Sequence, residues 1–238
     1  MTDSPIPDQL TPRAQARART QERILELGRE HLATYGAAAL SLRAIARDLD
    51  LVSSAVYRYV ASRDDLLTLL VVDAYTELAD RVLEAHAAAP ADDAREQLKL
   101  SCRAFRDWAV AEPARYALLY GSPVPGYQAP AEQTTEPGTR VVGLLVRTFA
   151  AADEHIVFAS PEAAALPTLD FDSVTSEFDV QMSDDAMHAA LALWAITVGL
   201  TSLEVFGQFG AEPPIDLSVL FTVQIDGLLD RVGLPASR

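Results

Sequence analysis

The sequence predicts an all-α chain: a small N-terminal three-helix unit containing a helix-turn-helix, joined to a larger helical body. Three observations predict it. Apolar residues recur at helical spacing through most of the chain, and no stretch shows convincing strand alternation or an internal repeat. Ser, Asp, Gly and Pro stand where such helices would start and stop. The stretch Ser41–Leu67 reads as two short helices with a tight connection and the start of a third.

In chain order, the first 12 residues carry Pro5, Pro7 and Pro12 and are expected to form a disordered tail. Arg13, Arg17, Arg19 and Arg23 lead into a helix that starts near Thr11 or Thr20 and runs to Tyr35, with Ile24, Leu27 and Leu32 as its apolar stripe and Gly36 as a left-handed cap. The arginine-rich start is either a solvated arm or one that touches phosphates or a minor groove. Ser41 caps the next helix, in which Leu42, Ile45, Ala46 and Leu49 share a face. Asp50 occupies a turn position that calls for positive φ. A short helix from Ser53 to Val60 follows, and Ser62 caps a long connector through Leu66, Leu67, Leu70, Val71, Ala74, Leu78 and Val82 that ends before Pro90.

The body continues with an amphipathic helix from Asp92 to Ala111 (Leu98, Cys102, Phe105, Trp108) and a short one from Pro113 to Tyr120, stopped by Gly121. Residues 122–138 hold four prolines and two glycines and read as a loop, after which a helix runs from about Pro137 to Ala152. The acidic stretch 153–182 lacks clear periodicity and reads as a loop with room for a helical turn, its length suiting either flexibility or a cover over a pocket. Ser183 caps an apolar helix with no formal charge from Ala186 to Leu203. This run reaches the lower length of a membrane span. Interior His188, Thr197, Thr201 and Ser202, together with acidic flanks, argue instead for a helix buried on several sides. A last amphipathic helix, Leu217–Val232, ends at Gly233.

Charge divides along the chain. Residues 1–63 hold 9 Arg against 7 Asp or Glu, a net of +2, so the remainder of the formal −15 lies in residues 64–238. A basic end on an acidic body can dock on DNA through that end alone. On the second short helix Ser53, Ser54, Tyr57 and Arg58 form a polar outer face, chemistry that suits a major groove. Cys102 is the sole cysteine, which excludes a disulfide framework and fits a reducing cytoplasm, and the N-terminus lacks the apolar core of a signal peptide.

No glycine-rich phosphate loop, HExxH or GxSxG occurs, and His31, His86, His155 and His188 are dispersed, so no enzyme, metal or cofactor is expected. Asp92-Asp93 and Asp184-Asp185 are explained by the positive ends of helices.

Tyr35-Gly36, Leu40-Ser41-Leu42-Arg43-Ala44-Ile45-Ala46, Leu51, Val56-Tyr57-Arg58-Tyr59-Val60 and Ser62-Arg63-Asp64-Asp65-Leu66-Leu67 together closely resemble the N-terminal pattern of TetR-type transcriptional regulators. The resemblance covers about Gln21 to Leu70. It implies a DNA-binding domain at residues 13–67 and a ligand-binding and dimerisation domain at 68–238. By position, Ser53, Ser54 and Ala55 would face bases, and Arg43 would meet a base edge or phosphate. Tyr57, Tyr59 and Arg63 would hold phosphates, and Arg58 could do either. Three residues depart from the pattern: Asp50 stands where the family usually has Gly, Val52 where it has a capping residue, and Ser53 where it often has Lys. Farther on, Ala192-Leu193-Trp194-Ala195, Gly199-Leu200 and Ser202-Leu203-Glu204 resemble the Trp-His-Gly branch of these regulators, with Val198 in place of the histidine.

The resemblance implies a homodimeric repressor released from a palindromic operator by a small apolar or aromatic effector. Candidate pocket residues are Phe105, Trp108, Tyr116, Tyr120, Phe149 and Trp194. Candidate dimer-seam residues are Trp194, Gly199, Ser202 and Phe221. The alternative is a helical small-molecule-binding or scaffold protein that has lost specific DNA binding.

Overall fold

The computed structural model describes residues 11–158 and 172–234, which hold ten α-helices and no strand. Most of the expected 12-residue tail lies outside the described residues, but its end does not. Thr11 accepts a hydrogen bond from the Ala14 amide and Pro12 opens α1 (Pro12–Tyr35). Proline is at home here, because the first helical N–H has no partner to lose. Gly36 ends α1 at φ 75°, its N–H bonded to the Leu32 carbonyl. Its ψ of 166° is extended, so the chain leaves α1 straight into a single turn at Ala37–Ala39 rather than through the left-handed helical cap the sequence suggests.

Ser41 caps α2 (Leu42–Asp48), and Asp50 takes φ 54°, the conformation expected of that turn. Then α3 (Ser53–Val56) is a single turn, continued by turn geometry through Tyr59 rather than by helix to Val60. Ser62 caps α4 (Arg63–Ala88), accepting from the Asp65 amide at 3.0 Å. Ile24, Leu27, Leu42, Ile45, Val56, Val60, Leu66 and Leu67 close one buried cluster from α1 to the start of α4. His31 Nε2 to Asp48 Oδ2, at 2.7 Å, ties α1 to α2 beside it.

The body is built on α4, which packs along α5 (Ala94–Ala111), α6 (Pro113–Tyr120) and α7 (Ala131–Ala151). One correction concerns α7: it begins at Ala131, so the supposed loop ends at Pro130 and Pro137 lies inside a helix. Proline has the helical φ but leaves a carbonyl one turn back without its donor. Packing outweighs that loss: Pro137 is buried, and the next residue, Gly138, sits so close to Tyr75 of α4 that an added Cβ would lie 3.4 Å from its ring.

Within 153–182 a turn at Asp153–His155 and a short helix α8 (Asp172–Phe178) are present; residues 159–171 lie outside the description. Ser183 caps α9 (Asp184–Val205), and its hydroxyl and amide bond Asp153. Asp216 caps α10 (Leu217–Arg231). The inner faces of α9 and α10 join α5 and α7 in a core of Leu98, Cys102, Leu145, Phe149, Met187, Leu193 and Ile225. Burial pushes the Cys102 thiol up to about 12, so it stays protonated and serves as a small apolar filler.

A second correction concerns α9. By length and composition it passes for a membrane span, but only 39% of that window is buried within the chain. One side is core; the other is open, with Leu191, Ala195, Gly199 and Leu203 exposed four residues apart.

Candidate DNA-reading surface and ligand pocket

The reading head presents its polar residues by default, because its apolar ones are spent on the core. Val56 and Val60 are buried, which turns Ser54, Tyr57 and Arg58 outward, while Ser53 and Tyr59 are half-buried. Arg43 on α2 is also exposed. Among the residues expected to face bases, Ala55 is the exception: it is 8% exposed, buried with Val56, and offers no edge to a groove. Arg63 is only partly available. Its Nη2 donates to the carbonyls of Ala37 (3.0 Å) and Ala38 (3.2 Å), closing the turn after α1.

The start of α3 shows what Val52 costs. Val52 holds the N-cap position with extended backbone and no side-chain hydrogen bond, and it is 71% exposed. Ser53 is the first helical residue and does not replace it as the cap. Substituting Val52→Ser buries nothing new and supplies the missing acceptor. We expect it to stabilise the head by about 1 kcal/mol, read as a higher unfolding midpoint and slower amide exchange at Ser54 and Ala55. An unchanged midpoint would show that α3 is anchored by packing alone.

Behind the head, α5, α6 and α9 bring together four of the six candidate pocket residues. Phe105 meets Tyr116 (6.1 Å between ring centres), Tyr120 (5.6 Å) and Trp194 (5.4 Å), and Tyr116 stacks on Tyr120 at 5.0 Å. Sequence reasoning missed Tyr75 of α4 and Phe206 after α9, which meet Tyr120 and Tyr116 respectively. Polarity enters this cluster through Tyr116, whose Oη bonds Ser202 Oγ at 2.7 Å and donates to the Val198 carbonyl at 3.3 Å. Burial raises the pKa of Tyr75, Tyr116 and Tyr120, so these phenols keep their protons and remain donors. Of the other two candidates, Trp108 shares the buried cluster of Phe105 and Tyr116, and Phe149 does not. Phe149 belongs to the core of α7, α9 and α10. Trp108 lies at the cluster's edge under the Arg115 guanidinium, 5.5 Å from its ring centre, and lines an outer groove with Glu77, Arg81, Glu84 and Glu112.

Head and body are joined by a shared carboxylate. Asp73 of α4 accepts from Arg29 Nε and Nη2 of α1 (2.8 and 2.5 Å) and from Arg115 Nη2 of α6 (2.9 Å). Arg115 also reaches Glu77 at 2.6 Å and is 5% exposed. The hydrogen bonds that Arg29 donates to Asp73 raise its pKa above the usual value, reinforcing its charge. Nearby, Leu118 of α6 with Val124 and Tyr127 packs against the head's core, and Tyr127 Oη lies 3.1 Å from Thr68 Oγ1.

A head of this kind on a helical body is matched by known proteins over nearly the full chain. Residues 98–228 match the family model of the tetracyclin repressor-like C-terminal domain. The HTH-type transcriptional regulator Rv1816 of Mycobacterium tuberculosis is 49% identical over 214 residues, covering 89% of this chain and 92% of that protein. The chain belongs to the TetR family of transcriptional regulators. The HTH-type transcriptional regulator Mb1846 of Mycobacterium bovis matches with the same identity and coverage. Among solved structures, the regulatory protein SCO4313 is 33% identical, with a TM-score of 0.76 over 92% of this chain and all of that one. The Bacillus subtilis regulator FadR, solved in complex with stearoyl-CoA, shares the fold at 12% identity, with a TM-score of 0.61 over 89% of this chain and 98% of that one.

In this TetR-family chain the four candidate seam residues divide. Gly199 is exposed on α9 with open space around it. Trp194 and Ser202 turn toward the aromatic cluster, and Phe221 is buried beneath the Arg106 guanidinium. The exposed apolar residues that sequence reasoning passed over are Leu191 and Leu203 on α9, Ile215 ahead of α10, and Val219 and Val223 on α10. Periodicity alone offered no signal that separates them from the core residues of the same helices. Among the described residues no group of His, Cys, Asp or Glu could hold a metal ion.

Proposed function

We propose that this TetR-family regulator is a homodimeric repressor, released from a palindromic operator when a small apolar or aromatic molecule enters the body, and that it is not an enzyme. The observation that carries the reading is Asp73, which binds α1 of the head and α6 of the body at once. Tyr116 and Tyr120 on α6 form one wall of the aromatic cluster. A molecule that parts these rings shifts α6, and Arg115 carries the shift to Asp73 and so to the head. Ligand and DNA then favour different arrangements of the same joint, which is all that coupling requires. Val198 packs against the cluster and adds no hydrogen-bonding side chain to it, which favours an apolar or aromatic effector.

Pairing is supported by the open apolar stripes. Leu191 and Leu203 on α9 and Val219 and Val223 on α10 are 41–58% exposed. Two copies joined through these helices would bury both stripes and give two heads for two half-sites. In light scattering at micromolar concentration we expect about twice 25.7 kDa for the natural chain and 25.7 kDa for Leu191→Arg/Val223→Arg. A natural chain that runs as a monomer refutes the pairing.

A second reading, a helical small-molecule binder that no longer holds DNA, draws on the uncapped α3 at Val52. It predicts a dimer that enriches no duplex from a random pool yet is stabilised by apolar ligands.

A further inference from the structure

An outer groove of about 460 Å³ lies between the C-terminal halves of α4 and α5. Ala85 and Ala104 are among the residues that line it, so part of its wall is small and apolar, while Glu77, Glu84, Asp107 and Glu112 stand there against the single guanidinium of Arg81. Three of these carboxylates already hold a cation. Glu77 lies 2.6 Å and Glu112 3.7 Å from Arg115, and Asp107 lies 3.2 Å from Arg106. Glu84 is exposed and makes no ion pair among the described residues. A second observation marks the other end, which Arg115 defines by stacking on Trp108 and holding Glu77, seven residues before Glu84 and so about 10 Å from it along α4. Trp108 lines the groove and is 5% exposed, yet its buried indole N–H finds no acceptor among the described residues. The Nε–H of Arg115 is equally buried and equally unpaired. Buried donors are nearly always paired, because an unpaired one gives up its hydration without return. Two neighbouring donors that lack an acceptor, one of them in the wall of a groove, mark a place for an acceptor from outside.

We propose that this groove binds a linear aliphatic amine carrying a neutral hydrogen-bond acceptor, such as a carbonyl, at the end away from its ammonium group. The acceptor takes the indole N–H of Trp108, the chain crosses the alanines, and the ammonium pairs with Glu84. Each simpler occupant fails one part of the groove. An anion is repelled by the carboxylates, and a wholly apolar molecule would strip them of water without replacing it. A plain diamine carries no acceptor, since an ammonium group only donates. The site is separate from the aromatic cluster of Phe105, Tyr116 and Tyr120, and it asks nothing of the DNA-binding reading.

The test is isothermal titration of the full-length protein with ε-aminocaproamide, which carries an ammonium group and an amide carbonyl on one chain. The natural chain is expected to bind it saturably, one molecule per chain. Hexylamine, which lacks the acceptor, and hexanamide, which lacks the cation, should each bind about threefold more weakly or worse. Trp108→Phe keeps an aromatic ring and removes the donor, so it should weaken the aminoamide by about threefold to tenfold and leave hexylamine as it was. Glu84→Gln, at an exposed position, should weaken both amines and spare hexanamide. Unfolding midpoints confirm that the variants are folded. Should Trp108→Phe not fold, Glu84→Gln and the three probes on the natural chain still decide. No saturable binding by the natural chain, hexylamine bound as well as the aminoamide, or undiminished binding in folded Trp108→Phe or in Glu84→Gln would each overturn the site. None of these results touches the aromatic cluster or the reading of DNA, so the site can fail while the regulator stands.

Discussion

Replacing Arg43 or Tyr57 by alanine is expected to abolish operator binding while leaving a folded dimer. Both side chains are exposed, and neither takes part in an ion pair among the described residues, so their removal opens no cavity and strands no partner there. In a two-fold complex each substitution acts twice. A good contact in the groove is worth about 1–3 kcal/mol, so the pair of losses amounts to roughly 2–6 kcal/mol, a fall of about 30-fold to more than 10⁴-fold. Anisotropy titration of the selected operator measures it, with circular dichroism and light scattering confirming fold and mass. Natural affinity in either variant would remove α2 and the residue after α3 from the reading surface. Ala55 supplies the contrast. Being buried, Ala55→Ser is expected to act on stability rather than on base preference.

Asp73→Ala is expected to cost about 3–5 kcal/mol of stability and to loosen the head from the body. The loss does not come from the ion pairs as such, since exposed pairs are worth little. It comes from what is left behind. Arg115 is 5% exposed and would keep only the Glu77 and Glu112 side, while Arg29 would lose both its hydrogen bonds across α1 and α4. Asp73→Asn retains one acceptor and should lose less. Urea unfolding gives the magnitude, and hydrogen exchange along α1 gives the location. A loss below about 1 kcal/mol, or one that spares α1, would show that the joint is carried by the apolar contacts of Leu118 and Tyr127 instead.

Local rules written into the sequence account for the head. Ser41 and Ser62 sit as caps because their hydroxyls reach amides three residues on, and Asp50 takes positive φ because the turn between α2 and α3 requires it. The rules fail where tertiary packing decides. Pro137 reads as a breaker, yet α7 runs through it because Gly138 lets the helix approach Tyr75. The uncharged α9 reads as buried on several sides, but periodicity cannot distinguish a residue that fills the chain's own core from one left for another surface, so the expected seam takes in Trp194 and Phe221 and omits Leu191 and Leu203. The pocket divides in the same way. Phe105, Tyr116 and Trp194 meet, whereas Phe149 points into a different cluster, which depends on how α7 is rotated and not on residue type. The shared carboxylate of Asp73 was invisible because its partners are 44 and 42 residues away along the chain.

Selection of bound duplexes from a random pool by the natural chain tests the account most directly. Two heads on one dimer predict enrichment of an inverted repeat whose half-sites are centred about 10 base pairs apart, or a multiple of that, with Arg43→Ala enriching nothing. Enrichment of a single, unpaired half-site, or of no sequence at all by a protein that is folded and dimeric, would contradict it.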